Sequence, residues 1–367
     1  MSIDGSDQLA GIDIGGTPFE IGRALGRHGA AVVHRHLVRT HAWALVTGFR
    51  DDPGIRAALA AAEARFPSYV EELHGLADGL GLPFDALFAW NCRGDVWAMS
   101  PDGCTTVQLP GATPVIAHNE DGDPGLRPGC ALASVKPDHG RGYTAFVYPA
   151  SIPGHTFAVN DAGLVITVNN IRSRDSGPGL PRMLITRALL DCGTLAEAIE
   201  LLETLPRASA FHLTLARAGE PTILSVEFTH RAVSATPVSR PSAHANHLIH
   251  ARTMQEAQIV TGSSKSRQER CNELIAAAGP GAPDPVVVLA DTHRKALPIF
   301  RTQPDDPDNE NTLATAIFEI GADEVDCTVY DGSDRKPRFR FRCSPSDPTR
   351  KSDAGSRPID DFAAADP

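Results

Sequence analysis

The succession of hydrophobic patterns in this 367-residue chain predicts an α+β fold in which sheets are covered by helices. Three observations lead there. Apolar residues recur at helical spacing from about Pro18 to Trp97, whereas after Cys104 the pattern shifts to short apolar or alternating runs. Clusters of Gly, Pro and Asp separate those runs, as consecutive strands require. Helical stretches then return in pairs rather than after every strand, which argues against a simple doubly wound sheet.

Taken in order, Gly11-Ile12-Asp13-Ile14-Gly15-Gly16-Thr17 reads as a strand and turn leading into a helix with apolar positions Ile21, Ala24, Leu25, Ala31, Val32 and Val33. Amphipathic runs follow at 55–66 and 69–77. Gly79, Gly81 and Pro83 end the second of these, and Pro83 starts a short helix through Phe88. Strands are expected at 115–117, 131–135, 144–148 and 164–168, then helices at 182–190 and 195–205. Thr194 is placed to cap the latter, with Glu197 at the capping-box position. Strands return at 211–216 and 222–228, helices at 266–278 and 285–292, and final strands at 313–320, 324–330 and 338–342. Residues 344–367 are rich in Ser, Asp and Pro and poor in apolar side chains, the composition of a disordered tail.

Composition narrows the function. A net charge of −11 is wrong for a general nucleic-acid binder, which needs a basic face to displace phosphate counterions, and for attraction to an anionic membrane surface. No apolar run approaches the ~20 residues that span a bilayer. The polar start, Met1-Ser2-Ile3-Asp4-Gly5-Ser6-Asp7, lacks the parts of a secretory signal, so a cytoplasmic location is expected. The seven cysteines, at 92, 104, 130, 192, 271, 327 and 343, show no CxxC spacing. Reduced thiols are therefore expected rather than a disulfide framework or a zinc site. Six read as small buried apolar residues. Cys104 stands apart, because it follows Gly103, precedes Thr105-Thr106, and is trailed by His118-Asn119-Glu120-Asp121.

Several further segments, in their order, carry a resemblance. They are Gly16 to Gly22 with Gly26, Glu72 to Gly79, Trp90-Asn91-Cys92, Cys104-Thr105-Thr106, Asn119-Glu120-Asp121, Val159 to Leu164, His244-Ala245-Asn246-His247 and Ser263 to Arg270. Together the chain, from roughly Gly15 to Arg342, resembles the autoproteolytic penicillin acyltransferase family, a branch of the N-terminal nucleophile hydrolases. The resemblance implies a four-layer αββα sandwich. It also implies self-cleavage of the Gly103–Cys104 bond into an α chain (1–103) and a β chain (104–367) that remain associated, with the catalytic part over 104–343. No cofactor is implied. The family includes a penicillin-forming acyltransferase and hydrolases that remove β-alanine from amines, and His118-Asn119-Glu120-Asp121 looks closer to the amine-releasing branch.

The same resemblance gives each residue a role to test. Cys104 would be nucleophile twice: first on the Gly103 carbonyl, then, as a new N-terminus, on a small-molecule amide through a thioester. An N-terminal cysteine carries thiol and α-amine on one residue, and the amine can serve as its base. Glycine at 103 permits close approach. Asn246 would donate to the oxyanion. Asp121 would position the α-amine, or alternatively sit in an Asx turn over Glu120 to Pro124. Glu120 is assigned to a substrate amine on charge, with Asn119, Thr105 and Arg270 as further substrate contacts. Arg267 and Arg270 face a substrate or precursor carboxylate, or else form surface salt bridges. His118, His244 and His247 invite a Cys-His reading, but an N-terminal amine makes a histidine base unnecessary, and no carboxylate–histidine spacing supports a metal.

Three alternatives stand beside this amidohydrolase reading. One is an acyl-CoA-dependent N-acyltransferase, and another is a non-catalytic ligand-binding homologue. The third is an actin-like sugar kinase, because Gly11 to Thr17 matches that fold's phosphate-loop strand. A kinase would need a second strand next. Residues 19–26 look helical instead.

Overall fold

The computed structural model describes residues 8–100, 103–279, 281–302, 309–332 and 335–345. The expected tail therefore lies outside the described residues from 346 onward. Before the Gly103–Cys104 bond the chain forms strand β1 (Ala10–Gly16) and helices α1 (Pro18–Arg35), α2 (His41–Thr47), α3 (Pro53–Arg65), α4 (Pro67–Leu80), α5 (Phe84–Asn91) and α6 (Arg93–Val96). Strand β2 (Gly103–Leu109) carries the cysteine and pairs with β3 (Val115–Gly122). Strands β4 (Ala131–Pro137), β5 (Tyr143–Val147), β6 (Phe157–Asn160) and β7 (Leu164–Asn170) follow. Helices α7 (Arg182–Leu189) and α8 (Leu195–Thr204) precede β8 (Phe211–Arg217), β9 (Glu220–Phe228), β10 (Val233–Pro237) and β11 (Ser242–His244). Last come α9 (Gly262–Ala277), α10 (Pro285–Leu289), β12 (Asn311–Ile320), β13 (Val325–Tyr330) and β14 (Pro337–Cys343).

The strands form two sheets, ordered β1-β4-β5-β6-β7-β8-β9-β10 and β11-β2-β3-β12-β13-β14. Their inner faces meet: the rings of Phe157 on β6 and Phe318 on β12 lie 6.2 Å apart, and Gln108 Nε2 donates to Thr214 Oγ1 at 2.7 Å. Helices α1 and α8 pack on the larger sheet, with α4 against α1 and α7 against α8, and α9 and α10 pack on the smaller. Val107, Ala117, Cys271, Val288, Leu289 and Ile317 fill the space under α9 and α10. This is the expected four-layer αββα sandwich. Strand β1 pairs in parallel with β4, Ala10 opposite Ala131, so the segment before residue 103 completes an edge of the larger sheet. Gly11 to Thr17 is thus a strand feeding α1, with no hairpin of the kinase type.

Local signals were placed with two differences. Thr194 caps α8, accepting from the Glu197 amide at 3.1 Å, but Glu197 reaches back to Gly193 N rather than to the cap itself. The complete capping box is at α1, where Thr17 accepts from Glu20 N and Glu20 Oε2 accepts from Thr17 N. Strands β6 and β10, four and five residues long, are too short to show a period.

Helices α1 and α4 approach backbone to backbone. A Cβ on Gly22 would overlap Glu72 O, and one on Gly75 would overlap Phe19 O. The contact holds the α1–α4 layer against the sheet, so Gly75→Ala is expected to cost at least about 1–3 kcal/mol by overpacking. A lowered midpoint in urea with an unchanged slope is the expected result; an unchanged midpoint would show that the helices separate freely.

Candidate functional site

Strand β2 is buried on both faces, and its alternation divides the site. Cys104, Thr106 and Gln108 point between the sheets, and Thr105, Val107 and Leu109 point toward α9 and α10. Strand β3 alternates in register, with Gly103 opposite Asp121, Cys104 opposite Glu120 and Thr106 opposite His118. The cysteine, Glu120 and His118 therefore share the inter-sheet face. Cys104 Sγ donates to Glu120 Oε2 at 3.7 Å, and His118 Nε2 lies 3.1 Å from the same oxygen. The Tyr148 hydroxyl donates to Glu120 Oε1 at 3.0 Å.

On the opposite face, the guanidinium of Arg267 from α9 reaches the backbone of residue 104. Nη1 donates to Cys104 O and, at 2.9 Å, to Thr105 Oγ1, while Nη2 donates to Asn246 Oδ1 at 2.7 Å. Arginine offers only donors, which fixes Asn246 with its oxygen toward Arg267. That oxygen also accepts from Cys104 N at 3.0 Å, and Asn246 Nδ2 donates to Asn170 O at 3.0 Å. Burial lowers the pKa of Arg267, against the neighbouring charge of Asp121. The loop carrying Asn246 is anchored by Glu227, which accepts from His244 Nε2, Ile249 N and Thr253 Oγ1.

Gly103 lies against a buried ion pair. Arg301 Nη1 sits 2.8 Å from Glu310 Oε2, and a Cβ on Gly103 would overlap that carboxylate. Arg172 approaches Glu310 Oε1 at 3.5 Å. A cavity of ≈ 480 Å³ opens beside the site, lined by Trp90, Trp97, Arg93, Asp123, Arg172 and Tyr148 among others. Tyr148 links it to Glu120.

Several expectations are corrected. Arg270 does not reach the site: it pairs with Asp291 at 2.8 Å and Glu273 at 3.1 Å, leaving Arg267 as the inward member of the two. Asn119 faces α10, donating to Leu289 O and accepting from Thr315 Oγ1, on the side of β3 away from the thiol. Asp121 is in β3 rather than a turn; its Oδ1 accepts from Thr312 Oγ1 at 2.6 Å, and the Asx turn belongs to Asp123, which accepts from Gly125 N. Glu120 is buried against the Cys104 thiol and bonded to Tyr148. Thr105 contacts Arg267. His244 and His247 lie apart from the thiol group, bonded to Glu227 and Ser264. Cys104, His118 and Glu120 bring their thiol, imidazole and carboxylate atoms within 4.8 Å of one another, a carboxylate–histidine grouping that spacing arguments overlook. Hydrogen bonds among the three account for it. A His-x-Glu pair on a strand shares one face, and that was the available signal. Arg301, Glu310 and Arg172 had no signal, since each depends on distant chain segments.

The family model described as acyl-coenzyme A:6-aminopenicillanic acid acyl-transferase matches residues 109–334, and the chain belongs to that family. It is similar to a beta-alanyl-dopamine/carcinine hydrolase of Drosophila melanogaster, 23% identical over 376 residues that cover 89% of this chain and 94% of that protein. Among solved structures, a mutant of a conjugated bile acid hydrolase from Clostridium perfringens aligns with a TM-score of 0.38 and 10% identity, covering 64% of this chain and 93% of that one. No helix of the described residues is long and apolar enough to cross a membrane.

The buried histidines give a pH prediction. Burial pulls His118 down to about 3 and His247 to about 4, and lowers His155 and His212 well below 6.5. Between these values and 6.5 the unfolded chain binds protons that the folded chain refuses, so stability rises with pH through that window and is lost in acid. Each such histidine adds up to about 1.4 kcal/mol per pH unit. Thermal midpoints should fall from pH 7 to pH 5. A flat profile would mean that these groups are solvated.

Proposed function

We propose that the protein is a self-processing cysteine amidohydrolase that removes the acyl group of a small N-acyl amine through a Cys104 thioester. The observation that carries this reading is the separate engagement of both reactive groups of one residue. The nitrogen of Cys104 is held by Asn246 Oδ1, and its thiol faces Glu120. A residue that becomes an N-terminus needs its amine placed by one partner and its thiol by another. Family membership and the hydrolase relative support the same chemistry.

In the first event the Cys104 thiol attacks the Gly103 carbonyl, and the chain divides into 1–103 and 104–367. The parallel β1–β4 pairing keeps the two pieces in one sheet. In the second, the thiol attacks the substrate amide, the amine leaves, and water resolves the thioester. Asn246 has a second amide hydrogen for the oxyanion, beyond the one given to Asn170 O. Asp121 acts by charge on Arg267, which in turn holds Cys104 O and Asn246. The cavity is of small-molecule size, within the ~300–1,000 Å³ common for ligands, and its aromatic rings and charges of both signs suit a small charged amide such as a β-alanyl amine. A working thiol requires reducing surroundings, and the cytoplasm fits. Acyl transfer to an amine instead of water is the second reading, favoured by the description of the family.

Mixing the purified protein with β-alanyl amines, penicillins and acyl-CoA thioesters, then quenching in acid for mass spectrometry, identifies the acyl group. An adduct on the peptide beginning at Cys104 is expected with a β-alanyl amine, and none in Cys104→Ala. An adduct elsewhere, or turnover by Cys104→Ala, would refute the reading. Asn246→Ala should lower kcat by about 10²–10³, the worth of one oxyanion donor; an effect confined to KM would remove Asn246 from that role.

A further inference from the structure

The amine that serves an N-terminal cysteine does not exist before the chain is cut. In the uncut chain the nitrogen of residue 104 is an amide, with no basic lone pair. Self-cleavage therefore requires a different group to take the thiol proton. Glu120 Oε2 is 3.7 Å from Sγ and already accepts from it.

The hydrogen bonds behind Glu120 show where such a proton would rest. Asn169 Nδ2 donates to His244 O at 3.1 Å, and a carbonyl can only accept, so Asn169 Oδ1 faces the other way. That oxygen accepts from the Thr106 hydroxyl at 2.8 Å and lies 3.0 Å from His212 Nδ1. Thr106 has one hydrogen, and it is spent on Asn169. Thr106 Oγ1 lies 2.8 Å from His118 Nδ1, so it accepts there, and His118 carries its proton on Nδ1. A fully buried imidazole with no second proton then presents a bare Nε2, and that atom is the one 3.1 Å from Glu120 Oε2. A protonated Glu120 would donate straight to it.

We propose that Glu120 is the base that takes the Cys104 thiol proton while residue 104 is still joined to Gly103, and that the protonated Glu120 is stabilised by donating to His118 Nε2. This rests on the self-processing reading above and assigns its first step. The S–H bond breaks and the proton passes to Glu120 Oε2. The thiolate sulfur bonds to the Gly103 carbonyl carbon. The tetrahedral centre collapses by breaking the C–N bond, and the proton on Glu120 passes to the departing nitrogen, which becomes the α-amine. Water then cleaves the thioester, leaving a Gly103 carboxylate and a restored thiol. From that point the amine can act as base, so Glu120 matters most in the first turnover.

The test follows cleavage of freshly translated full-length chain by intact mass over time, for the wild type, Glu120→Gln, Glu120→Asp and His118→Phe. General-base catalysis is worth about 10²–10⁴-fold, so Glu120→Gln should be slowed at least about a hundredfold. Glu120→Asp should keep most of the rate, and His118→Phe should fall between them. The pH profile separates a base from a prop. The wild-type rate should level off once Glu120 is ionised, whereas Glu120→Gln should keep climbing about tenfold per pH unit as hydroxide takes over. Cleavage of Glu120→Gln at the wild-type rate, or slowing with an unchanged pH profile, overturns the proposal. Should circular dichroism show that Glu120→Gln is misfolded, the wild-type profile decides, and a rate that climbs about tenfold per pH unit with no plateau across the range where the chain stays folded overturns it equally. A wild-type chain that never divides would instead defeat the underlying reading and leave Glu120 with no first step to serve.

Discussion

The buried guanidinium of Arg267 is the interaction on which the arrangement around Cys104 depends. It belongs to α9, yet its hydrogen bonds end on Cys104 O and Thr105 Oγ1 of β2 and on Asn246 Oδ1 of the loop after β11. Strand β2 and the loop after β11 are thereby fixed to one planar cation on α9. A charge buried this completely is expensive unless its donors are filled, and breaking such a set by removing one partner costs about 3–5 kcal/mol. Asp121, directly opposite Gly103 on β3, supplies part of the compensating charge. The cation thus fixes the carbonyl and the nitrogen partner of residue 104, while the thiol is left to the inter-sheet side.

That division follows from strand geometry. On β2 and β3, period-2 alternation sends one set of polar groups to Arg267 and the helices and the other to the space between the sheets. The hydrogen bonds from Arg267 to the residue-104 carbonyl and Thr105 and the contact of the thiol with Glu120 lie on opposite faces of the same two strands. On the inter-sheet face burial holds the pKa values of His118 and His212 below the usual histidine range, so the hydrogens of these two rings are set by their hydrogen bonds. Asn169 and Thr106 orient those rings, Thr106 bonding His118 Nδ1 and Asn169 Oδ1 bonding His212 Nδ1.

Much of this was legible in the sequence. The helical-to-strand change around Cys104 and the strand and turn at Gly11 to Thr17 are all local patterns, and they appear where local patterns predict. Gly103-Cys104-Thr105 and Asn246 come together as their motifs suggest. Arg270 was misplaced because a three-residue spacing on a helix does not say which residue points inward; α9 turns Arg267 to the site and Arg270 to Asp291. The alternative Asx turn at Asp121 arose because Glu-Asp-Gly-Asp-Pro is rich in turn formers. Sheet pairing on both sides of β3 overrides that propensity. The Arg301–Glu310 pair and Tyr148 could not be found, since each meets the site only through the tertiary fold.

The chemistry proposed for Cys104 requires that residue 104 become a chain start. Denaturing intact-mass measurement of the purified wild-type protein, with sequencing of the larger piece, answers this directly. Two polypeptides dividing between Gly103 and Cys104, the larger beginning Cys-Thr-Thr, are the predicted result. A persistent single chain of 367 residues with Cys104 intact would contradict the account.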